Sequence, residues 1–123
     1  DDEDVNVKLI ERLIKKEFAT INILGASSTK AGAVELINKV HPDLIFMDVS
    51  LDASNTGFDV LEEIEPLDAK VIFVTSHDEF AIKAFDYNTI AYIVKPVIKK
   101  DLVVAVNKAI QELEIRCILK MLN

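Results

Sequence analysis

Three short apolar runs each finish on a polar residue, and this repeated ending restricts the possible folds more than any other feature of the chain. Leu44-Ile45-Phe46-Met47 runs into Asp48, and Val71-Ile72-Phe73-Val74 runs into Thr75. Tyr92-Ile93-Val94 runs into Lys95, which Pro96 follows. Strands buried on both faces read as continuous apolar runs, whereas a one-sided antiparallel sheet alternates apolar and polar residues. The runs therefore predict strands of one parallel sheet with their polar ends along a single edge. Ligands of open α/β sheets bind outside the carboxyl ends of the strands. Asp48, Thr75 and Lys95 are thus the first candidate functional residues.

The segments between these runs carry helical periodicity. Val5, Leu9, Ile10, Leu13 and Ile14 predict a helix from about Val5 to Glu17. Ile21 to Ala26 reads as a further strand. Ser27, Ser28 and Thr29 offer N-caps for a helix carrying Ala33, Val34, Leu36, Ile37 and Val40, which Pro42 breaks. A polar loop, Ser50 to Thr56, leads to a short helix near Phe58–Glu65 that Pro66 stops. Ser76 and Glu79 have capping-box spacing for a helix through about Asp86. A last helix starts at about Lys99 or Asp101. Parallel strands joined by such segments need helical crossovers, so the fold class is a doubly wound α/β domain.

A chain of 123 residues suits one domain with a single core. The formal net charge of −7 argues against direct nucleic-acid binding, which requires basic patches. The apolar stretches fall well short of the ~18–20 residues of a membrane span. The single cysteine, Cys117, cannot form an internal disulfide, and with no secretory signal visible a reducing cytoplasm is the expected location. Cys117 lies on an apolar stripe and reads as a core thiol. His41, before Pro42, reads as a helix-terminal residue.

Asp1-Asp2-Glu3, Leu44-Ile45-Phe46-Met47-Asp48, Val74-Thr75-Ser76 and Tyr92-Ile93-Val94-Lys95-Pro96, in this order and spacing, resemble the receiver domain of bacterial response regulators (CheY-like). The resemblance covers roughly residues 1–116, with 117–123 as an extension. Thr75 to Phe85 further resembles receivers attached to LytTR-type DNA-binding domains. The resemblance implies a five-stranded parallel sheet of order 2-1-3-4-5, for which the family is itself the standard illustration. It implies that Asp48 accepts a phosphoryl group from a sensor histidine kinase and that the domain catalyses only its own phosphorylation and dephosphorylation. It implies Mg²⁺ held by Asp2, Asp48 and the main-chain carbonyl of Ser50, with Asp1 acting through water. Thr75, Lys95 and Tyr92 are the implied phosphoryl-binding and switch residues, and a cis bond before Pro96 is implied to aim Lys95. His77, two residues after Thr75, stands where the family varies and tunes phosphoaspartate hydrolysis. An output domain or protein, of LytTR type or another, is the implied partner.

Taken alone, these residues have blander readings. Asp1, Asp2 and Glu3 are also what a helix dipole favours at an N-terminus, Lys95 a surface lysine, and Tyr92 a strand aromatic. A pseudo-receiver that never carries phosphate and an aspartate-nucleophile phosphatase are the rival functions. The second usually shows Asp-x-Asp, where this chain has Ser50. A flavin-binding relative lacks its phosphate-cradling glycine loop.

Two departures from the family pattern stand out. Most receivers have proline where Asp52 stands and one residue fewer before Gly57, so the loop is expected to be more mobile, with Asp52 adding negative charge near the pocket. The family also has an apolar central strand before the acidic pair. Without it, the second and third strands would stand about 10 Å apart, two strand spacings, and could not pair. Either the chain has lost its first strand or another segment supplies it, Cys117 to Asn123 being the candidate by permutation or exchange between chains; those residues also read as an extension of the last helix, a dimerising linker. Lys120 favours the helix, since a central strand is buried on both faces.

Overall fold

The computed structural model describes residues 2–64 and 68–122, with side chains described from 7 to 114 within those ranges. α1 spans Asp2–Glu17 and α2 Lys30–Val40. They are followed by β1 (Leu44–Met47), α3 (Gly57–Glu63) and β2 (Lys70–Thr75). α4 (Ala81–Ala84), β3 (Thr89–Val94) and α5 (Lys99–Leu122) complete the chain. Among the described residues the sheet has three strands in the order β1-β2-β3, all parallel. Met47 stands opposite Phe73, and Thr75 opposite Val94, so the strands end at one edge.

The strand period of two divides the core between two layers. Ile45, Met47, Val71 and Phe73 pack with Ala33 of α2 and with Phe58, Val60 and Leu61 of α3. Ile72, Val74, Ile90 and Ile93 pack with Ile10 and Ile14 of α1 and with Leu102, Ala105, Val106 and Ala109 of α5. Val71, Ile72 and Phe73 are wholly buried, which is why β2 reads as an unbroken apolar run. This is the expected α/β architecture, with helices on both faces of a parallel sheet.

Three expectations are decided by the described residues, two of them against the sequence reading. Ile21 to Ala26 does not form a strand. Its Ile21 and Ile23 pack on the α1/α5 layer, but it joins no ladder, because the described sheet ends at β1 and pairing would need a strand between the two. Among the described residues, three of the expected five strands are therefore present. Second, of the two readings open for Cys117 to Leu122 the helix is the one found: these residues continue α5, in line with their three-and-four apolar spacing; Asn123 lies outside the described residues. Third, Ser76 and Glu79 form no capping box. α4 starts later, at Ala81, without a side-chain cap, and the Glu79 carboxylate lies instead 3.6 Å from His77 Nδ1.

The helix ends are otherwise local chemistry. Of the three candidate caps, Thr29 serves α2, accepting the Gly32 N–H at 3.1 Å. His41 ends that helix with φ 47°, and its N–H donates to the Ile37 carbonyl. α3 opens with a capping box in which Thr56 Oγ1 accepts the Asp59 N–H and Asp59 accepts the Thr56 N–H. Pro66 lies outside the described residues.

Candidate functional site

Parallel pairing places Asp48 just beyond β1, Thr75 at the end of β2 and Lys95 just beyond β3. The Lys95 ammonium lies 2.7 Å from Asp48 Oδ2, and both side chains are 13% exposed. The Lys95–Pro96 peptide is cis, and the Lys95 N–H donates to the Thr75 carbonyl at 2.8 Å, which fixes where the lysine leaves the sheet. Asp48 Oδ1 accepts the Ser50 N–H at 3.1 Å. One carboxylate is thus held by a cation on one oxygen and a main-chain amide on the other.

Gly57 explains how the loop after Asp48 can return so closely. A Cβ there would lie 2.4 Å from the Asp48 main-chain oxygen and 2.6 Å from Met47 Cγ. Only glycine permits that approach.

Thr75 is fully buried, and its Oγ1 accepts the His77 N–H at 3.3 Å. Tyr92 lies with its ring 5.9 Å from that of Phe73, and its hydroxyl donates to the His77 carbonyl. Burial first, and then the negative charge of Glu79, raises the Tyr92 pKa above its ordinary value of 10.0, so the hydroxyl keeps the proton it donates. His77 itself is joined through Nε2 to Ser50 Oγ at 2.9 Å, with Glu79 3.6 Å from Nδ1. Ser50, expected to matter only through its carbonyl, therefore also bridges two loops through its side chain. Glu79 serves that histidine rather than a helix cap.

The Asp52 carboxylate accepts the N–H groups of Lys30, Ser54 and Asn55 and the Asn55 side-chain amide. The Lys30 amide above all, then that of Ser54, lowers its pKa. The contact with Lys30 is not legible in the sequence because the two residues are 22 positions apart.

The metal question turns on donor type. Asp48 and the Ser50 carbonyl are hard oxygen donors of the kind Mg²⁺ takes, usually with waters and one or two carboxylates. They fit that ion in kind. Asp1 lies outside the described residues, and Asp2 is described only as the first residue of α1. Among the described residues no three His, Cys, Asp or Glu side chains form a cluster. A recess along α1, lined by Lys8, Glu11, Arg12, Lys15 and Lys16, shares no residue with the Asp48 site.

Comparison with known proteins agrees with the geometry. The family model of the response regulator receiver domain matches residues 1–107. The positive alginate biosynthesis regulatory protein of Pseudomonas aeruginosa is 33% identical over 112 residues, covering 89% of this chain and 44% of that protein. The sensory transduction protein LytT of Enterococcus faecalis is 29% identical over 115 residues, covering 92% and 47% respectively. The chain thus spans less than half the length of these relatives. The response regulatory domain of protein mrkE from Klebsiella pneumoniae has the same fold, with a TM-score of 0.82 at 22% identity over 93% of each chain. Among the described residues no helix is long and apolar enough to cross a membrane. Sequence match and sheet-edge geometry lead to one family: the chain belongs to the response regulator receiver domains, the modules of two-component systems that regulate output partners.

Proposed function

We propose that Asp48 is the phosphoacceptor of this receiver, that the domain works in the cytoplasm, and that a sensor histidine kinase is its donor. An Asp48 carboxylate oxygen attacks phosphorus of the donor phosphohistidine, the P–N bond breaks, and its electron pair returns to the imidazole. Hydrolysis later releases phosphate when water attacks the same phosphorus. Mg²⁺, when bound, offsets the repulsion between anionic donor and acceptor; Asp2, Asp48 and the Ser50 carbonyl would hold it, with Asp1 through water. Lys95 provides a second cation, a point charge able to follow the phosphoryl oxygens. Thr75 donates its hydroxyl to the group, and Tyr92 reads its movement. His77 modulates the lifetime of the phosphoaspartate.

The observation that carries this reading is the 2.7 Å contact between Lys95 Nζ and Asp48 Oδ2 at the carboxyl edge of the sheet. The apolar side chains left exposed around α4, β3 and α5 support an output face there: Ile82, Phe85, Val94, Ile98 and Val104. Phosphate can shift that face only by its differential affinity for two conformations. An output domain, of LytTR type or another, or a homodimer through α5 would read the change.

The test is labelling with acetyl phosphate and Mg²⁺, followed by intact mass. The wild type is expected to gain one phosphoryl group and Asp48→Asn none. Equal labelling of the two would remove Asp48 from the role, and a wild type that neither labels nor binds Mg²⁺ would make the domain an interaction module.

A further inference from the structure

The loop between β1 and α3 folds back on itself as a short hairpin. The Gly57 N–H donates to the Val49 carbonyl at 2.9 Å, and the Leu51 and Asp52 N–H groups both donate to the Asn55 carbonyl. Ser50 and Thr56 are bridged antiparallel between these rungs. Asp52 closes the tip. Its Oδ1 accepts the Ser54 N–H at 3.0 Å, the Asn55 N–H at 2.9 Å and Asn55 Nδ2 at 3.0 Å. Its Oδ2 accepts the N–H of Lys30, the first residue of α2, at 3.0 Å. One carboxylate fastens the tip to itself with one oxygen and to a different element with the other.

We propose, on the reading that Asp48 is phosphorylated, that Asp52 is a positioning residue for that reaction, clamping the β1–α3 loop to α2 and so fixing the Ser50 main chain beside Asp48. The connection is continuous. The Ser50 N–H holds Asp48 Oδ1 at 3.1 Å, and Ser50 is bridged to Thr56, next to the Asn55 rung that Asp52 closes. Where most receivers use a proline to stiffen this turn through φ, this chain uses an anion and four donors. The consequence is that a carboxylate whose own hydrogen bonds all go to the loop tip and α2 governs how readily Asp48 reacts, since small misplacement of a reacting group costs rate steeply.

The test compares Asp52→Ala, Asp52→Asn and, as a control at the same helix end, Thr29→Ala. Alanine removes every acceptor. Asparagine keeps one oxygen for the tip but turns donors toward the Lys30 amide. Thr29→Ala removes the Gly32 cap without touching the loop. Labelling by acetyl phosphate is expected to slow about tenfold in Asp52→Ala, the lower end of what losing a supporting partner of a metal ligand costs, with Asp52→Asn between it and wild type. The Mg²⁺ concentration for half-maximal labelling rises in parallel. By NMR, hydrogen exchange of the Lys30 amide accelerates in both Asp52 variants. Thr29→Ala lowers stability and leaves labelling unchanged. Wild-type labelling rates in both Asp52 variants, or equal slowing in Thr29→Ala, would overturn the inference and leave the phosphoacceptor reading intact. An unlabelled wild type would overturn both.

Discussion

The hydroxyl of Tyr92 donates to the main-chain carbonyl of His77, tying the last strand to the loop that follows β2. Tyr92→Phe removes this bond and retains the ring against Phe73. A stability loss of about 1 kcal/mol is expected, the usual net worth of such a bond, read from the urea midpoint. Because the proton stays on this hydroxyl to above pH 10.0, the difference between tyrosine and phenylalanine should not vary between pH 6 and 9. Acetyl phosphate labelling should proceed in the variant, since Tyr92 makes no bond to Asp48.

Lys95 and Asp48 are both largely shielded from water, so each depends on the other. Lys95→Met is expected to destabilise by roughly 1–3 kcal/mol, the cost of leaving a half-desolvated charge without its partner. The double variant, Asp48→Asn with Lys95→Met, should cost less than the two single changes added together. A double-mutant cycle by denaturant unfolding measures that coupling; strict additivity would show that the contact contributes nothing.

Gly57→Ala forces a methyl against the Asp48 main-chain oxygen and Met47. Backbone cannot yield as a flexible side chain can. The expected loss is about 1–3 kcal/mol, as for overpacking, together with slower labelling because the displaced oxygen belongs to Asp48 itself. A thermal melt and a labelling time course test both parts.

Asp52 and Asp59 give the stability a definite pH dependence. The Lys30 amide leads the causes at Asp52 and the Thr56 amide at Asp59, and both pKa values lie below the ordinary 3.8. A lowered folded pKa means the unfolded chain binds protons more readily. The contribution is therefore complete above about pH 5 and is lost as the pH falls through 3.8 toward the lower, folded values. Urea midpoints should be level with respect to these groups from pH 7 to 5 and fall below 3.8, and the fall should be shallower in Asp52→Asn.

The parallel strands and the polar residues at their ends were legible because β1 and β2 are buried on two sides and so leave unbroken apolar runs. Thr29 and His41 were readable as helix ends because capping is local. Ile21 to Ala26 was misread for the opposite reason: its composition suits a strand, but strand formation depends on a neighbour that its own residues do not encode. Ser76 and Glu79 had the right spacing for a cap, yet tertiary bonds from His77 took precedence. The same spacing at Thr56 and Asp59 was a real cap that went unread, because aspartate stands there in place of glutamate. Asp52 stood out by its departure from the family pattern, but its contact with Lys30 was not legible because it spans 22 positions.

Val71 and Phe73 look into one layer while Ile72 and Val74 look into the other, so consecutive side chains of a single strand answer to different helices. Trimming Phe73 would loosen α3 and leave α1 seated; trimming Ile72 would do the reverse. β2 thus acts as a partition, letting the helices on its two sides be softened one at a time while Thr75 keeps its place at the strand's end.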